Sequence, residues 1–134
     1  MVYFTINELC YSQTAQAKGI NNTPNETQRN ALTALVDNVL DPLRKAWGKP
    51  ILVNSGYRCP ALNGAVYGKP YSQHLRGEAA DITAGSREAN RQLYDLALKL
   101  HLPFDQLIGE QNCRWLHISH KLDGGGRHKA WIEP

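Results

Sequence analysis

Apolar residues recur at helical spacing between Glu26 and Trp47. They fall on one broad face of a helix, so the segment is predicted to be an amphipathic helix. Pro42 interrupts the pattern, because proline removes a backbone donor; we expect either a kink or a second helical segment beginning at Asp41. Gly48 ends the helix. The apolar positions are Leu32, Leu35, Val36, Val39, Leu40, Leu43 and Trp47.

Shorter helical and strand patterns surround this segment. Thr5 and Ser86 are placed to cap two further helices, the first carrying Leu9 and the second ending near Leu100. Residues 56–70 are punctuated by glycine and proline, and connections of that length are often functional. Apolar runs bounded by turn residues predict strands at 51–55, 79–83, 106–108, 115–119 and 130–132.

The order of these elements predicts the fold class. Helices come first, and strands then follow around one long helix. This order indicates an α+β fold, with a small antiparallel sheet and helices packed on it. The chain of 134 residues fits a single domain, residues 1–134, with a core of its own.

Composition and charge narrow the choice of partners. The net charge of +3 suits a polyanionic neighbour such as a bacterial cell wall. Charge alone leaves nucleic acid open, but no basic run or aromatic platform supports it, so we expect no nucleic-acid partner. No apolar stretch reaches bilayer length, so we expect no membrane insertion. The N-terminus lacks the basic and apolar regions of a signal peptide, and we therefore expect synthesis in the cytoplasm.

Three polar residues lie in or beside strands with apolar neighbours. Asp81 stands between Ala80 and Ile82, His117 stands between Leu116 and Ile118, and His74 precedes a turn. A buried carboxylate needs a partner or a metal ion, because an unpaired buried charge costs several kcal/mol. On spacing alone, ordinary core or ion-pair residues and a three-ligand zinc site with an open fourth position both remain possible.

The context of these residues resembles a known zinc-binding pattern. Ser72 and His74 form a Ser-x-His motif, Asp81 follows after six residues, and Trp115 and His117 form a late Trp-x-His motif. This pattern is similar to that of the D-Ala-D-Ala carboxypeptidase and L-alanyl-D-glutamate endopeptidase family, within the hedgehog/DD-peptidase superfamily. Other stretches, in the same order, resemble its small phage-borne branch: Phe4 to Leu9, Asn22 to Pro24, Asn54 to Arg58, and Phe104 to Glu110.

The resemblance implies a fold, a cofactor and a set of site residues. It implies a hedgehog/DD-peptidase-like fold with one Zn²⁺ ion held by His74, Asp81 and His117. It also implies that Arg58 contacts the substrate, a role that suits a guanidinium because its planar fork binds carboxylate or carbonyl oxygens.

The pattern does not identify the residue that acts as the general base. Several relatives have a glutamate three residues before the last histidine ligand, but Arg114 occupies that position here. We take Glu110 as the candidate general base, because a carboxylate at a strand end could turn towards the metal. His120 is a second candidate, although we expect it at the surface.

These observations predict a zinc-dependent murein peptidase that acts on peptidoglycan stem peptides. The reaction is either D-Ala-D-Ala carboxypeptidase cleavage or an endopeptidase cut, and we expect a monomer. The resemblance to phage proteins indicates an endolysin that reaches the wall after release, or a virion component. The alternative is a non-catalytic, zinc-containing binding module of the same fold, which the arginine at position 114 keeps open.

Overall fold

The computed structural model describes all residues from 1 to 134 and contains six α-helices and five strands. The helices are α1 (Ile6–Cys10), α2 (Gln13–Lys18), α3 (Glu26–Leu35), α4 (Asp41–Trp47), α5 (Pro60–Ala65) and α6 (Arg87–Lys99). The strands are β1 (Leu52–Ser55), β2 (Ala79–Thr83), β3 (Gln106–Glu110), β4 (Trp115–Ser119) and β5 (Lys129–Ile132). The α+β fold predicted from the sequence is confirmed.

The helix boundaries follow the capping residues seen in the sequence. The Thr5 hydroxyl accepts a hydrogen bond from the backbone of Glu8, and the Ser86 hydroxyl accepts one from Ala89. The long apolar pattern becomes α3 and α4, joined by a π-helical turn at Val36–Leu40, with Pro42 in the first turn of α4. The helix does not break here, since the backbone amide of Asp41 still bonds to the carbonyl of Val36; the wider π-helical turn directly before Pro42 is where the helix adapts to a residue without a backbone donor.

Two short helices, α2 and α5, were not predicted. Each has six residues, which is too short for a hydrophobic period to show. Helix α5 lies inside the long segment 56–70, where Cys59 caps it and Pro60 begins it. That segment is therefore partly helical.

The sheet has the order β1-β2-β4-β3-β5. The first three pairings are antiparallel, but β5 runs parallel to β3, so the prediction of an antiparallel sheet was wrong for this edge. The reason is topological. Strand β4 ends beside the start of β3, and the glycine-rich segment 120–128 stays at that end of the sheet. Strand β5 therefore begins beside Gln106 and follows the direction of β3.

The register of the sheet separates a core face from a polar face. Asp81 pairs with His117, and His117 pairs with Ile108, so these side chains lie on one face. Their strand neighbours point to the other face and join a cluster of 21 buried apolar residues contributed by the helices and the sheet. No helix of the structure has both the length and the apolar character needed to span a bilayer.

Candidate metal centre

Three side chains from separate elements converge above the centre of the sheet. His74 lies on a 3₁₀ turn (Gln73–Arg76), Asp81 on β2 and His117 on β4. Oδ1 of Asp81 lies 3.3 Å from Nε2 of His74 and 3.2 Å from Nδ1 of His117. One ligand atom from each residue lies within 4.8 Å of the others. The structure thus brings together the three predicted metal ligands.

Local capping sets the position of His74. The Ser72 hydroxyl accepts a hydrogen bond from the His74 backbone, and Gly77 ends the turn with a φ of +71° that suits glycine. A contact on the side of the ring away from Asp81 fixes its orientation: Nδ1 of His74 lies 2.6 Å from the carbonyl oxygen of Gly56. Since a carbonyl can only accept, Nδ1 carries the proton and the lone pair of Nε2 points at Asp81.

A separate contact orients His117. Its Nε2 lies 3.3 Å from Oε1 of Gln73, and the amide nitrogen of Gln73 donates to Asp105 at 2.6 Å. In this arrangement Nε2 carries the proton, and the lone pair of Nδ1 points at Asp81. Gln73 therefore orients His117.

The donor set fits a divalent cation. With both rings in the tautomers that Gly56 and Gln73 favour, two imidazole lone pairs and a carboxylate oxygen face one point. Three acceptors facing one another repel, and a bound cation offsets this repulsion. Two imidazoles and one carboxylate are a ligand set found at zinc sites that keep an open position.

Asp81 is held in its charged form. Burial opposes the charge, but without a metal ion the His117 and His74 rings donate hydrogen bonds to Asp81, and these outweigh burial and keep the pKa of this carboxyl well below its usual range. A bound cation would take the place of those protons. The carboxylate is therefore available as a ligand throughout the neutral pH range.

Arg58 lies beside the centre, on the loop after β1. Asn22 brackets the loop, accepting a hydrogen bond from the backbone of Cys59 and donating one to the carbonyl of Tyr57. Nη2 of Arg58 is 3.4 Å from the Ser72 hydroxyl, while the buried Nε has no partner. Burial lowers the pKa of Arg58, and the charge of Asp81 partly offsets this effect. An unpartnered buried donor leaves a position for an anionic or carbonyl oxygen.

A cleft of about 800 Å³ opens above the centre. All three candidate ligands line it, together with the exposed rings of Tyr67 and Tyr71. Its charge is strongly positive, because Asp81 is the one acidic residue in the lining. The basic residues that line the cleft are Arg58, Lys69, Arg76, Lys121 and Arg127.

Glu110 lies on the same face of the sheet but beyond the cleft lining. It ends β3 opposite Trp115, two residue pairs further along than Ile108 and His117. Burial raises the pKa of Glu110, and a hydrogen bond with Glu133 raises it further. The structure therefore puts this candidate base on the correct face, with Trp115 rather than Glu110 in contact with the cleft.

The expectation for His120 was wrong. Its ring is buried, with Nδ1 unpartnered, and it lines a separate small cavity with Phe104 and Asn38. Burial lowers the pKa of His120. Because this cavity does not include the three candidate ligands, His120 is not placed to act on a substrate at the centre.

Sequence reasoning missed several residues that support the site. The carbonyl of Gly56 and the side chains of Asp105 and Arg127 act behind the ligands. Gly56, Asp105 and Asn22 lie in stretches that resemble the family, whereas Arg127 has no signal in the sequence. The role of Asn22 as a loop anchor became visible only in the fold.

Comparison with known proteins agrees with this geometry. Over 49 residues the chain is 47% identical to the zinc D-Ala-D-Ala carboxypeptidase of Streptomyces albus G, a stretch that covers 36% of this chain and 19% of the relative. The chain thus matches about a fifth of that protein's length. The family model described as Peptidase M15 matches residues 2–119, which include all three candidate ligands and Arg58. The chain therefore belongs to the peptidase M15 family.

Proposed function

We propose that this protein is a zinc-dependent peptidase that hydrolyses a peptide bond in the stem peptides of peptidoglycan. The observation that carries the proposal is the convergence of His74, Asp81 and His117 within 4.8 Å in a cleft that also holds Arg58. Membership of the peptidase M15 family supports the hydrolytic class. The similarity to the Streptomyces zinc D-Ala-D-Ala carboxypeptidase supports zinc and a D-alanyl substrate.

Nε2 of His74, Oδ1 of Asp81 and Nδ1 of His117 would hold one Zn²⁺ ion. When bound, zinc supplies a Lewis acid in the cleft and lowers the pKa of water. The protein contributes the orientation of the ligands. Gly56 holds the ring of His74 and Gln73 holds the ring of His117, so both rings meet Asp81 in fixed poses.

Arg58 binds the substrate in this proposal. Its buried Nε lacks a partner, and its fork can engage a carboxylate or a peptide carbonyl beside the centre. A substrate oxygen that satisfies this donor removes a desolvation cost, which favours the bound state. The remaining basic lining suits stem peptides, since these carry free carboxylates.

Glu110 carries the proton in this proposal. A general base works best when its pKa lies near the working pH, and both burial and Glu133 shift the pKa of Glu110 upwards. Glu110 lies outside the cleft lining. Its carboxyl therefore has to reach the reacting group past the edge of the Trp115 ring or through a bridging water molecule.

We further propose the setting of this activity. The protein is a monomeric phage or prophage endolysin that is released to the cell wall by a membrane-permeabilising partner, or it is carried in the virion. The resemblance to the phage-borne branch supports this. The bond cut is either the terminal D-Ala-D-Ala bond or an internal bond such as L-Ala-D-Glu.

Defined substrates test the proposal. The purified protein is incubated with peptidoglycan and with synthetic stem peptides, with and without a chelator, and the products are identified by mass spectrometry. We expect a chelator-sensitive product whose mass gives the bond cut: free D-alanine for a carboxypeptidase, and two peptide fragments for an endopeptidase. The Asp81→Asn variant, which loses a candidate ligand, should give no product. Asp95→Asn makes the same change at an exposed helix position and is the matched control. No product from any stem peptide would reject the enzyme assignment.

A non-catalytic zinc-containing binding module is the second candidate. It is favoured by Arg114, which occupies the position where several relatives have a glutamate, and by Glu110 lying outside the cleft lining. This function predicts zinc binding and peptidoglycan pull-down without any product. Zinc binding together with product formation would favour the peptidase, and zinc binding without product would favour the binding module.

A further inference from the structure

A continuous hydrogen-bonded chain connects His117 to the C-terminal part of the protein. Nη2 of Arg127 donates to Oδ2 of Asp105 at 2.9 Å, and Gln73 donates to the same oxygen at 2.6 Å. The Gln73 carbonyl oxygen then lies 3.3 Å from Nε2 of His117. Asp105 is fully buried and Gln73 nearly so, which makes an unpaired group in this chain costly.

The direction of each bond in the chain is determined by Asp105. The side chain and backbone of Arg127 supply three of its hydrogen bonds, and these hold the pKa of Asp105 well below its usual range. An ionised carboxylate is an acceptor only. Gln73 must therefore turn its amide nitrogen to Asp105 and its carbonyl oxygen to His117.

That orientation of Gln73 decides which nitrogen of His117 is free. A carbonyl oxygen at 3.3 Å favours a proton on Nε2, so Nδ1 keeps its lone pair and faces Asp81. The opposite amide orientation would present a donor to Nε2. The proton would then move to Nδ1, and His117 could no longer offer that atom to a metal ion.

The C-terminal segment that supplies Arg127 lies beyond residues 2–119, the part matched by the family model. It is attached beside Asp105 by its backbone, through His128 to the carbonyl of Phe104 and through Lys129 to the carbonyl of Asp105. Strand β5 then continues along β3. The fold thus places an arginine from outside the matched region directly on a buried carboxylate next to the site.

We propose that Arg127 and Asp105 act through Gln73 as positioning residues that hold His117 in the ring orientation and tautomer required for metal binding. The inference rests on the metal centre of the proposed function. Since partners behind a metal ligand contribute about 10- to 100-fold to metal affinity, the effect is large enough to measure.

Zinc affinity tests this directly. Dissociation constants are measured by competition with a chromogenic chelator for the full-length protein and for Asp105→Asn, Gln73→Leu and Arg127→Ala. We expect each variant to bind zinc about 10- to 100-fold more weakly. Lys129→Ala is the matched control, because Lys129 is exposed on the same segment and contacts Asp105 by its backbone alone. Arg127→Lys keeps the charge but not the two-pronged contact with Asp105, so we expect its affinity to lie between those of the wild type and Arg127→Ala.

A spectroscopic measurement separates positioning from simple loss of structure. In the zinc-loaded wild-type protein, we expect the His117 Nε2 proton to be visible by nitrogen-15 NMR and protected from solvent exchange. Its protection should fall in Gln73→Leu and Asp105→Asn, while circular dichroism shows an unchanged fold. If either variant unfolds, Arg127→Ala and Arg127→Lys provide the same comparison at a half-exposed residue.

The outcomes distinguish the inference from its premise. Weaker zinc binding with a less protected Nε2 proton supports the positioning chain. Wild-type zinc affinity in folded Gln73→Leu and Asp105→Asn overturns it and leaves the metal centre intact. A wild-type protein that binds no zinc overturns the metal centre itself.

Discussion

The carbonyl oxygen of Gly56 accepts a hydrogen bond from Nδ1 of His74 at 2.6 Å, so a backbone atom of one loop orients a side chain of another. Residue 56 is a glycine because the chain approaches helix α1 closely at this point. A Cβ added there would lie 2.1 Å from the carbonyl oxygen of Leu9. The packing of the N-terminal helix and the pose of a candidate ligand therefore depend on the same residue.

Gly56→Ala is expected to lower both stability and zinc affinity. The new methyl group forces the loop away from Leu9, at about 1–3 kcal/mol as in other overpacked sites. The displaced carbonyl releases His74, so zinc binding weakens by about 10-fold or more. Urea unfolding and chelator competition measure the two effects. Gly64→Ala is the control, because a Cβ there meets nothing within 4 Å, and equal behaviour of the two variants would contradict the prediction.

Asp81→Asn is expected to abolish useful metal affinity while preserving the fold. The amide keeps the shape of the side chain but removes the charge on which both rings converge. We expect zinc affinity to fall by more than about 100-fold, beyond the range for residues behind the ligands. Zinc at a hundredfold excess over its Kd should raise the unfolding free energy of the wild-type protein by about 2.7 kcal/mol. The same stabilisation in Asp81→Asn would remove this residue from the ligand set.

Arg58→Lys is expected to lower kcat/KM without affecting zinc content. Lysine keeps the charge but cannot reproduce the guanidinium fork or the buried Nε donor. Loss of one charge-assisted hydrogen bond corresponds to roughly 10- to 100-fold in kcat/KM. Arg76→Lys serves as the control in the same cleft, because Arg76 is already paired with Glu78. If the two substitutions cost the same, Arg58 has no special role in substrate binding.

Glu133→Gln is expected to move the acidic limb of the pH–rate profile. Burial and Glu133 raise the pKa of Glu110, and removing the Glu133 charge lowers it part of the way back. If Glu110 accepts the proton, kcat/KM rises with pH through its pKa, so the limb shifts to lower pH in the variant. Glu110→Gln itself should cost about 10²- to 10⁴-fold in kcat. An unmoved limb would assign the proton transfer to another group.

Asp105 predicts how acid destabilises the fold. Its pKa is depressed in the folded state, mainly by Arg127, so the unfolded chain binds more protons and stability rises with pH. The stabilisation is present above the unfolded aspartate pKa of about 3.9 and is lost as pH falls below it. Asp105→Asn should therefore unfold more readily near neutral pH but show a flatter decline in acid. Parallel acid-unfolding curves for the two proteins would exclude Asp105 as the titrating group.

Local patterns in the sequence determined most of the secondary structure. Hydrophobic periodicity located α3, α4 and α6, the capping residues Thr5 and Ser86 located two helix starts, and apolar runs located all five strands. These features depend on neighbours a few residues apart, which is why they can be predicted. The ligand set came from motif resemblance, and its role in metal binding stays a prediction, although the structure brings the three side chains together.

Tertiary structure alone decided how the site is supported. The parallel direction of β5, the burial of His120 and the distance of Glu110 from the cleft depend on which strands pair and what packs over them. The successive links of the chain from Arg127 to His117 join residues that are 22, 32 and 44 positions apart in the sequence. Ring orientation and tautomer are set by single hydrogen bonds between such distant residues, and no local pattern records them.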